Sequence, residues 1–178
     1  LILFYPFSGL RAQPRDSLRL TWKLDAPLLV SGTGLLVAGT LLRDNQTPLT
    51  PAQIAALDPM QVNAFDRQAI GLYSNRYAHA SDALLTVATL APLTAFAFRP
   101  ARKDVMPILI TYLETSLIIN GITDIPKGVV ERTRPYVYDP NVPMEVKTDK
   151  FSRQAFFSGH TSNTAAYSFM TAYIISIY

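Results

Sequence analysis

The sequence has no cysteine, only two histidines and few charged residues. The absence of cysteine excludes disulfides and thiolate metal sites, and His79 and His160 are too few for a histidine-rich metal centre. Charged residues make up 16% of the 178 residues and hydrophobic residues 49%, whereas an ordinary soluble domain is about 25% charged. The chain is therefore short of groups that water solvates, which indicates a large core, a membrane, or both.

The charge is slightly positive and unpatterned. Sixteen Lys and Arg residues stand against 13 Asp and Glu residues, giving a net charge of +3. A basic chain suits nucleic acid, anionic lipid or a phosphorylated substrate. The basic residues are scattered among acidic ones and are not interleaved with aromatic residues, so nucleic acid is not expected as a partner.

Both ends of the sequence have the character of a longer protein. Residues 1–25 form a separate N-terminal segment, whose apolar start followed by Arg11-Ala12-Gln13 is consistent with the remnant of a signal peptide. Residues 173–178 stop within an apolar helical pattern, without the Gly, Asn or basic residues that usually end a helix. We expect a single helical domain, residues 26–178, that is incomplete at its C-terminal side.

Apolar segments predict four long helices, over residues 26–42, 81–98, 105–122 and from Ser158 onwards. In the first of them, Gly32, Gly34 and Gly39 would allow close packing against another helix. Strand alternation is weak everywhere. The fold class predicted is therefore an all-α bundle of about four long apolar helices with short surface helices.

Short polar signals predict the helix boundaries. Thr50-Pro51 and Asp58-Pro59 each resemble an N-cap followed by proline in the first helical position, and predict short helices over 51–57 and 60–72. Ser81-Asp82 predicts the cap of the second long helix. A tight turn is expected near Gly121.

The distribution of basic residues bears on a membrane location. If the basic N-terminal segment and the basic loop 99–103 face the cytoplasm, then residues 43–79 and 123–157 lie together on the other side. A cleaved signal peptide would reverse this orientation. Glu114, and the Ser, Thr and Asn residues of 161–168, favour a soluble bundle instead. Two alternatives stay open, a membrane-embedded bundle and a soluble periplasmic domain.

The first chemical motif contains Lys127 and Arg134, seven residues apart and followed by Pro135. On a continuous α-helix this spacing is about 700° of rotation, so both side chains would emerge from one face. Arginine offers a planar fork to two phosphate oxygens, and lysine acts as a point charge. Taken alone, the motif is also typical of a basic turn at a membrane edge.

The second motif is Ser158-Gly159-His160. Serine is a preferred N-cap, and the N-terminus of a helix binds anions through free N–H groups and the helix dipole. Gly159 has no side chain that would keep a phosphate from the backbone. The imidazole of histidine titrates near neutral pH, which suits proton transfer. Taken alone, this motif fits a serine cap beside a solvent-exposed histidine.

Together the two motifs resemble those of the type 2 phosphatidic acid phosphatase family, which also contains bacterial acid phosphatases and vanadium haloperoxidases. The family's Lys-x6-Arg-Pro motif is met by Lys127, Arg134 and Pro135. Its Pro-Ser-Gly-His motif is met by Ser158-Gly159-His160, with Phe157 in place of proline. The resemblance covers roughly the second half of the chain, from residue 80 onwards, and it implies part of the family's six-helix core.

The resemblance implies a role for each matched residue. Lys127 and Arg134 would bind phosphate oxygens, and Ser158 and the amide of Gly159 would complete the cradle. His160 would protonate the leaving alkoxide. No metal and no cofactor are implied, although vanadate could occupy the site as a phosphate mimic or as a haloperoxidase cofactor.

The family's third motif, Ser-Arg-x5-His-x3-Asp, supplies the nucleophilic histidine and has no match here. His79 lacks its spacing and is expected to be a surface or helix-entry residue. The nucleophile is therefore expected downstream of Tyr178, and residues 1–178 alone are expected to be inactive.

The resemblance implies a phosphatase of the bacterial cell envelope, acting through phosphohistidine on phosphate monoesters or pyrophosphates. Lipid-linked substrates are favoured, with the protein in the inner membrane and its site facing the periplasm. The alternatives are a soluble periplasmic acid phosphatase, a vanadate-dependent haloperoxidase and a non-catalytic phosphate-binding module. The oligomeric state is not predicted.

Overall fold

The computed structural model describes residues 18–178, so most of the N-terminal segment, including the signal-peptide prediction, lies outside the described residues. Within that range the chain forms α-helices and 3₁₀-helices and no strand. The α-helices are α1 (Trp22–Asp44), α2 (Pro51–Ala55), α3 (Ala64–Arg67), α4 (Asn75–Leu90), α5 (Val105–Val130), α6 (Met144–Lys147) and α7 (Gly159–Ile177). The 3₁₀-helices are Pro59–Gln61, Ala91–Ala97, Pro100–Asp104, Pro135–Tyr138 and Lys150–Arg153. The predicted all-α bundle with four long helices is confirmed.

Helices α1 and α5 run parallel and in close contact, because glycines stand where they cross. A Cβ at Gly39 would lie 2.9 Å from the carbonyl oxygen of Gly121, and a Cβ at Gly121 would lie 2.6 Å from the backbone of Leu35. A Cβ at Gly34, in contrast, would meet no atom within 4 Å. Close packing is therefore confirmed for two of the three predicted glycines, Gly32 and Gly39, and is wrong for Gly34.

Helix α7 lies antiparallel to α5. Thr123 Oγ1 and Ser162 Oγ are 3.1 Å apart near its start. At its far end the Tyr178 hydroxyl donates to Asp104 Oδ2 at 2.6 Å. Helix α4 runs alongside α7, and the apolar core at the far end of this pair contains Ala95, Ala101, Ile108, Met170 and Ile174.

These directions bring four helix ends together. The C-terminal ends of α1 and α5 meet the N-terminal ends of α4 and α7. Both long polar connections, 45–74 and 131–158, cover this end of the bundle, where Gln46 Nε2 donates to the carbonyl of Lys127 at 2.5 Å. Arg153 links the two connections to each other by donating to the carbonyl of Thr47 at 3.0 Å.

Of the two predicted short helices, the first is confirmed and the second is wrong. Thr50 caps α2 with Pro51 in the first turn, and its hydroxyl accepts the Gln53 amide. The predicted helix 60–72 is instead a 3₁₀ turn followed by α3, because the Asn63 side chain accepts the Asp66 amide and caps a new helix.

The second long helix begins earlier and ends earlier than predicted. Its N-cap is Ser74, so Ser81 and Asp82 lie inside α4 and cap nothing. After Leu90 the chain continues as a 3₁₀-helix, since Pro92 has no N–H with which to continue the α-helical hydrogen bonds.

The predicted turn near Gly121 is wrong, because α5 continues to Val130. Glycine is present there because the backbone of α1 passes against it. Helix α5 ends when Glu131 adopts the left-handed conformation, with φ at 48°. Lys127 and Arg134 therefore do not share a helix, and the prediction of one helical face for both is wrong.

Three helical segments are long and apolar enough to cross a membrane: Trp22–Asp44, Asn75–Ala97 and Pro100–Tyr138. Most of their side chains face outwards, and Val30 and Leu84, for example, are 74% and 70% exposed. An apolar surface of this kind favours lipid over water, so the structure supports membrane association. Glu114 is buried in α5, and its Oε1 has no hydrogen-bond partner among the described residues.

Candidate functional site

A cavity of about 590 Å³ opens where the four helix ends meet, and all five predicted site residues line it. They are Lys127, Arg134, Ser158, Gly159 and His160. Two motifs that are separated in the sequence therefore contribute to one site. His79, the other histidine, is exposed on α4 and does not line this cavity.

Lys127 reaches the cavity from the last turn of α5. Its ammonium group lies 3.2 Å from Oδ1 of the buried Asp124, one turn earlier on the same helix. A Cβ at position 159 would lie 2.9 Å from Lys127 Nζ. Glycine at 159 therefore makes room for the lysine, in addition to leaving the backbone of α7 open to an anion.

Arg134 is held by the connection between α5 and α7. Its backbone is extended, as expected for a residue that precedes proline, with φ at −72° and ψ at 144°. Its amide donates to the carbonyl of Ser152 at 2.7 Å, and the Ala155 amide donates to the carbonyl of Arg132 at 3.0 Å. These bonds set Arg134 against the cavity although no helix carries it there. Its Nε is buried and has no hydrogen-bond partner among the described residues.

Ser158 begins α7 as predicted. Its hydroxyl oxygen accepts the amide of Thr161 at 3.3 Å, which confirms it as the N-cap. The first turn of α7 therefore starts at the cavity wall, where free N–H groups and the positive end of the helix dipole favour an anion. The basic residues Arg43 and Lys127 occupy the last turns of α1 and α5, whose negative dipole ends they offset.

The His160 ring is oriented by a carboxylate from another helix. Nε2 lies 2.8 Å from Oδ1 of Asp82, in the middle of α4. Both side chains are partly exposed, with relative exposures of 47% for His160 and 63% for Asp82, and His160 lines the cavity. A carboxylate that accepts a ring N–H fixes the orientation of the imidazole and leaves the other nitrogen to exchange a proton. The prediction of a helix cap at Asp82 missed this contact, because Asp82 and His160 are 78 residues apart along the chain.

Arg43 and Gln154, which the motifs do not include, also line the cavity. Arg43, at the end of α1, pairs with Asp124 Oδ2 at 2.6 Å. Gln154 is 4% exposed, and its Nε2 is buried without a partner among the described residues. Residue type alone could have flagged Arg43, a lone cation at the end of a long uncharged segment, but only the parallel packing of α1 and α5 shows where it lies.

One wall of the cavity is apolar. Aromatic and aliphatic side chains from the start of α4 and from the connection before α7 form it: Leu72, Tyr73, Tyr77, Phe151 and Phe157. Leu72 and Tyr77 are 73% and 75% exposed, so this wall continues onto the outer surface. The cavity thus combines a cationic end with an apolar side that is open to the surroundings.

Among residues 18–178, no group of three or more His, Asp and Glu side chains is placed to hold a metal ion. Comparison of the chain with protein-family models, with curated proteins and with solved structures finds no match.

Proposed function

We propose that the chain forms the phosphate-binding part of a phosphatase that hydrolyses phosphate monoesters or pyrophosphates, similar to the type 2 phosphatidic acid phosphatases. The observation that carries this proposal is the buried Nε of Arg134, which has no hydrogen-bond partner among the described residues and belongs to a side chain that lines a cavity together with Lys127. An unpartnered buried donor of this kind costs about 1–3 kcal/mol or more. An oxyanion in the cavity would remove that cost.

The donors around the cavity are varied enough to surround a tetrahedral anion. Arg134 supplies a fork, Lys127 a point charge, and Ser158 and Gly159 the start of a helix. Fixed donors of this kind can neutralise the charge that develops on a transferring phosphoryl group. In this proposal they bind the phosphoryl oxygens in both the ground state and the transition state.

His160 is the proposed acid. A proton moves from its ring to the oxygen of the leaving group as the P–O bond breaks, and the Asp82 carboxylate stabilises and orients the ring. The nucleophilic histidine of the related family is not matched within residues 1–178. The described residues therefore account for binding and for leaving-group protonation, and the formation of phosphohistidine is assigned to a histidine elsewhere in the complete protein.

A lipid-linked substrate fits the shape of the site best. The apolar wall beside the cationic end continues to the outer surface through Leu72 and Tyr77. Three helical segments of the bundle could cross a membrane. An amphiphilic phosphate would place its head at Arg134 and its chain along this wall. We propose a location in the bacterial inner membrane with the site on the periplasmic side, and a soluble periplasmic enzyme as the alternative.

The experiment is a phosphatase assay of the complete gene product and of residues 1–178, with nitrophenyl phosphate and with a lipid phosphate. We expect hydrolysis by the complete protein only, and loss of it in Lys127→Gln and Arg134→Gln. Arg132→Gln is the matched control, since Arg132 lies in the same motif but pairs with Asp66 outside the cavity.

Three outcomes would contradict parts of the proposal. Hydrolysis that survives in Arg134→Gln would remove the assigned role of the cavity. Binding of orthophosphate by the complete protein without turnover would identify a non-catalytic phosphate-binding module. If the complete protein hydrolyses soluble esters equally well with and without detergent or lipid, and hydrolyses only soluble esters, the result would favour the soluble periplasmic enzyme.

A further inference from the structure

We propose that Arg43 is a third phosphate-binding cation of this site and that Asp124 holds it in place. This inference rests on the proposed function, because it concerns the same cavity. The inference adds to the phosphate-binding residues one from α1, a helix that precedes the two motifs in the sequence. Arg43 lies in the last turn of that helix and lines the cavity together with Lys127 and Arg134.

The guanidinium of Arg43 contacts two carboxylates through two of its three nitrogens. Nη1 donates to Asp124 Oδ2 at 2.6 Å, and Nε lies 3.3 Å from Asp44 Oδ1. Nη2 makes no hydrogen bond to any residue in the part of the chain that the structure describes. The side chain is 27% exposed, so its remaining donors are open to a ligand. An arginine whose guanidinium is held at two nitrogens, while the third has no partner, is preorganised to bind an oxyanion.

Asp124 is a single carboxylate shared by two cations. It is 5% exposed, and its two oxygens contact Arg43 at 2.6 Å and Lys127 at 3.2 Å. In the ion-pair network around Arg43, the three cations Arg43, Lys127 and Lys150 stand against the two carboxylates Asp124 and Asp44, which leaves a surplus of one positive charge. Arg134 at the cavity raises the surplus to two. That surplus matches the charge of a phosphate monoester near neutral pH. The carboxylate also holds both cations in one geometry before a ligand arrives.

The competing explanation is that Arg43 serves only as a counter-ion for the buried Asp124. Both explanations predict weaker phosphate binding in Arg43→Gln, since that variant leaves Asp124 with one cation fewer. The two explanations make different predictions for the double variant Arg43→Gln/Asp124→Asn. That variant removes one positive and one negative charge, so the surplus at the cavity stays at two while the Arg43 donors are lost.

The experiment measures orthophosphate binding to the full chain in detergent by calorimetry, with thermal unfolding of each variant recorded in parallel. We expect Arg43→Gln and the double variant both to bind about tenfold more weakly than the unmodified chain, the loss of one charge-assisted contact. Arg132→Gln, outside the cavity, should bind as the unmodified chain does. Affinity of the double variant equal to that of the unmodified chain would overturn the inference and leave Arg43 as a counter-ion.

Two safeguards keep the outcome clear. If Arg43→Gln does not fold, Arg43→Lys replaces it, because lysine keeps the charge beside Asp124 and loses the free edge of the guanidinium. It should bind orthophosphate about threefold more weakly, and unchanged binding would overturn the inference. A failure of the proposed function is distinguishable, since the unmodified chain would then bind no orthophosphate and Arg134→Gln would change nothing.

Discussion

The crossing of α1 and α5 can be tested with one methyl group. In Gly121→Ala the new Cβ would lie 2.6 Å from the backbone of Leu35 and Leu36, whereas carbon atoms prefer about 3.5–4.0 Å. The obstacle is backbone, so no side chain can rotate away and the two helices must separate by about 1 Å. Overpacking of this kind typically costs about 1–3 kcal/mol.

Gly34→Ala is the matched control for this substitution. Position 34 is also helical, but a Cβ there would meet no atom within 4 Å. Alanine is favoured over glycine inside a helix by about 1 kcal/mol, and this gain applies to both positions. We therefore expect Gly34→Ala to be stabilised by about 0.5–1 kcal/mol and Gly121→Ala to be about 1–3 kcal/mol less stable than Gly34→Ala, since the shared gain cancels and the overpacking cost remains.

The assay is reversible unfolding of the full chain in detergent, followed by circular dichroism, with both variants under the same conditions. Gly121→Ala should also weaken orthophosphate binding, because separation of the helices moves Arg43 away from Asp124. Gly34→Ala should leave binding unchanged. Equal stabilities of the two variants would refute the close parallel crossing, and with it the route by which α1 reaches the site.

Three further predictions concern the cavity itself. Gly159→Ala should lower orthophosphate affinity about tenfold with little change in unfolding, since the new methyl would be too close only to the end of the flexible Lys127 side chain and would meet Thr123 Cγ2 at an ordinary 3.4 Å. Calorimetry and a melting curve measure both. Gln154→Leu should raise the unfolding free energy by about 1 kcal/mol, because the buried Nε2 of Gln154 has no partner among the described residues. The same variant should weaken vanadate binding if Nε2 donates to the ligand. In the complete protein, His160→Ala should slow hydrolysis of alkyl phosphates more than of nitrophenyl phosphate, whose leaving group needs no acid; equal slowing would contradict the acid role.

The long helices and the start of α7 were predictable because their signals are local. Uncharged segments of sufficient length indicate buried or lipid-facing helices, and a serine before a glycine indicates an N-cap. The two cations of the first motif were predicted to lie close together, and both line one cavity, but the local argument for this prediction was wrong. The helix ends at Val130, and Arg134 reaches the cavity through a backbone bond to Ser152, which no periodicity in the sequence reveals.

Contacts between distant segments explain the remaining differences. Gly121 indicates a turn when it is considered alone, but it is a packing position once α1 is placed beside it. Asp82 fits a cap when considered alone, yet it contacts His160 from the middle of α4. In each case the residue type indicated that the position was special. The sequence did not reveal its partner, because the partner lies some 80 residues away along the chain.

The meeting of four helix ends at one cavity links ligand concentration to folding. The residues that surround the cavity come from α1, α4, α5 and α7 and from the connections between them, so they are together only when the bundle is folded. A ligand that binds the folded chain alone stabilises it by about 2.7 kcal/mol at a concentration one hundred times its Kd. If phosphate is this ligand, as proposed, a higher phosphate concentration would stabilise the folded bundle. The melting temperature would then rise with phosphate concentration even where no catalysis takes place.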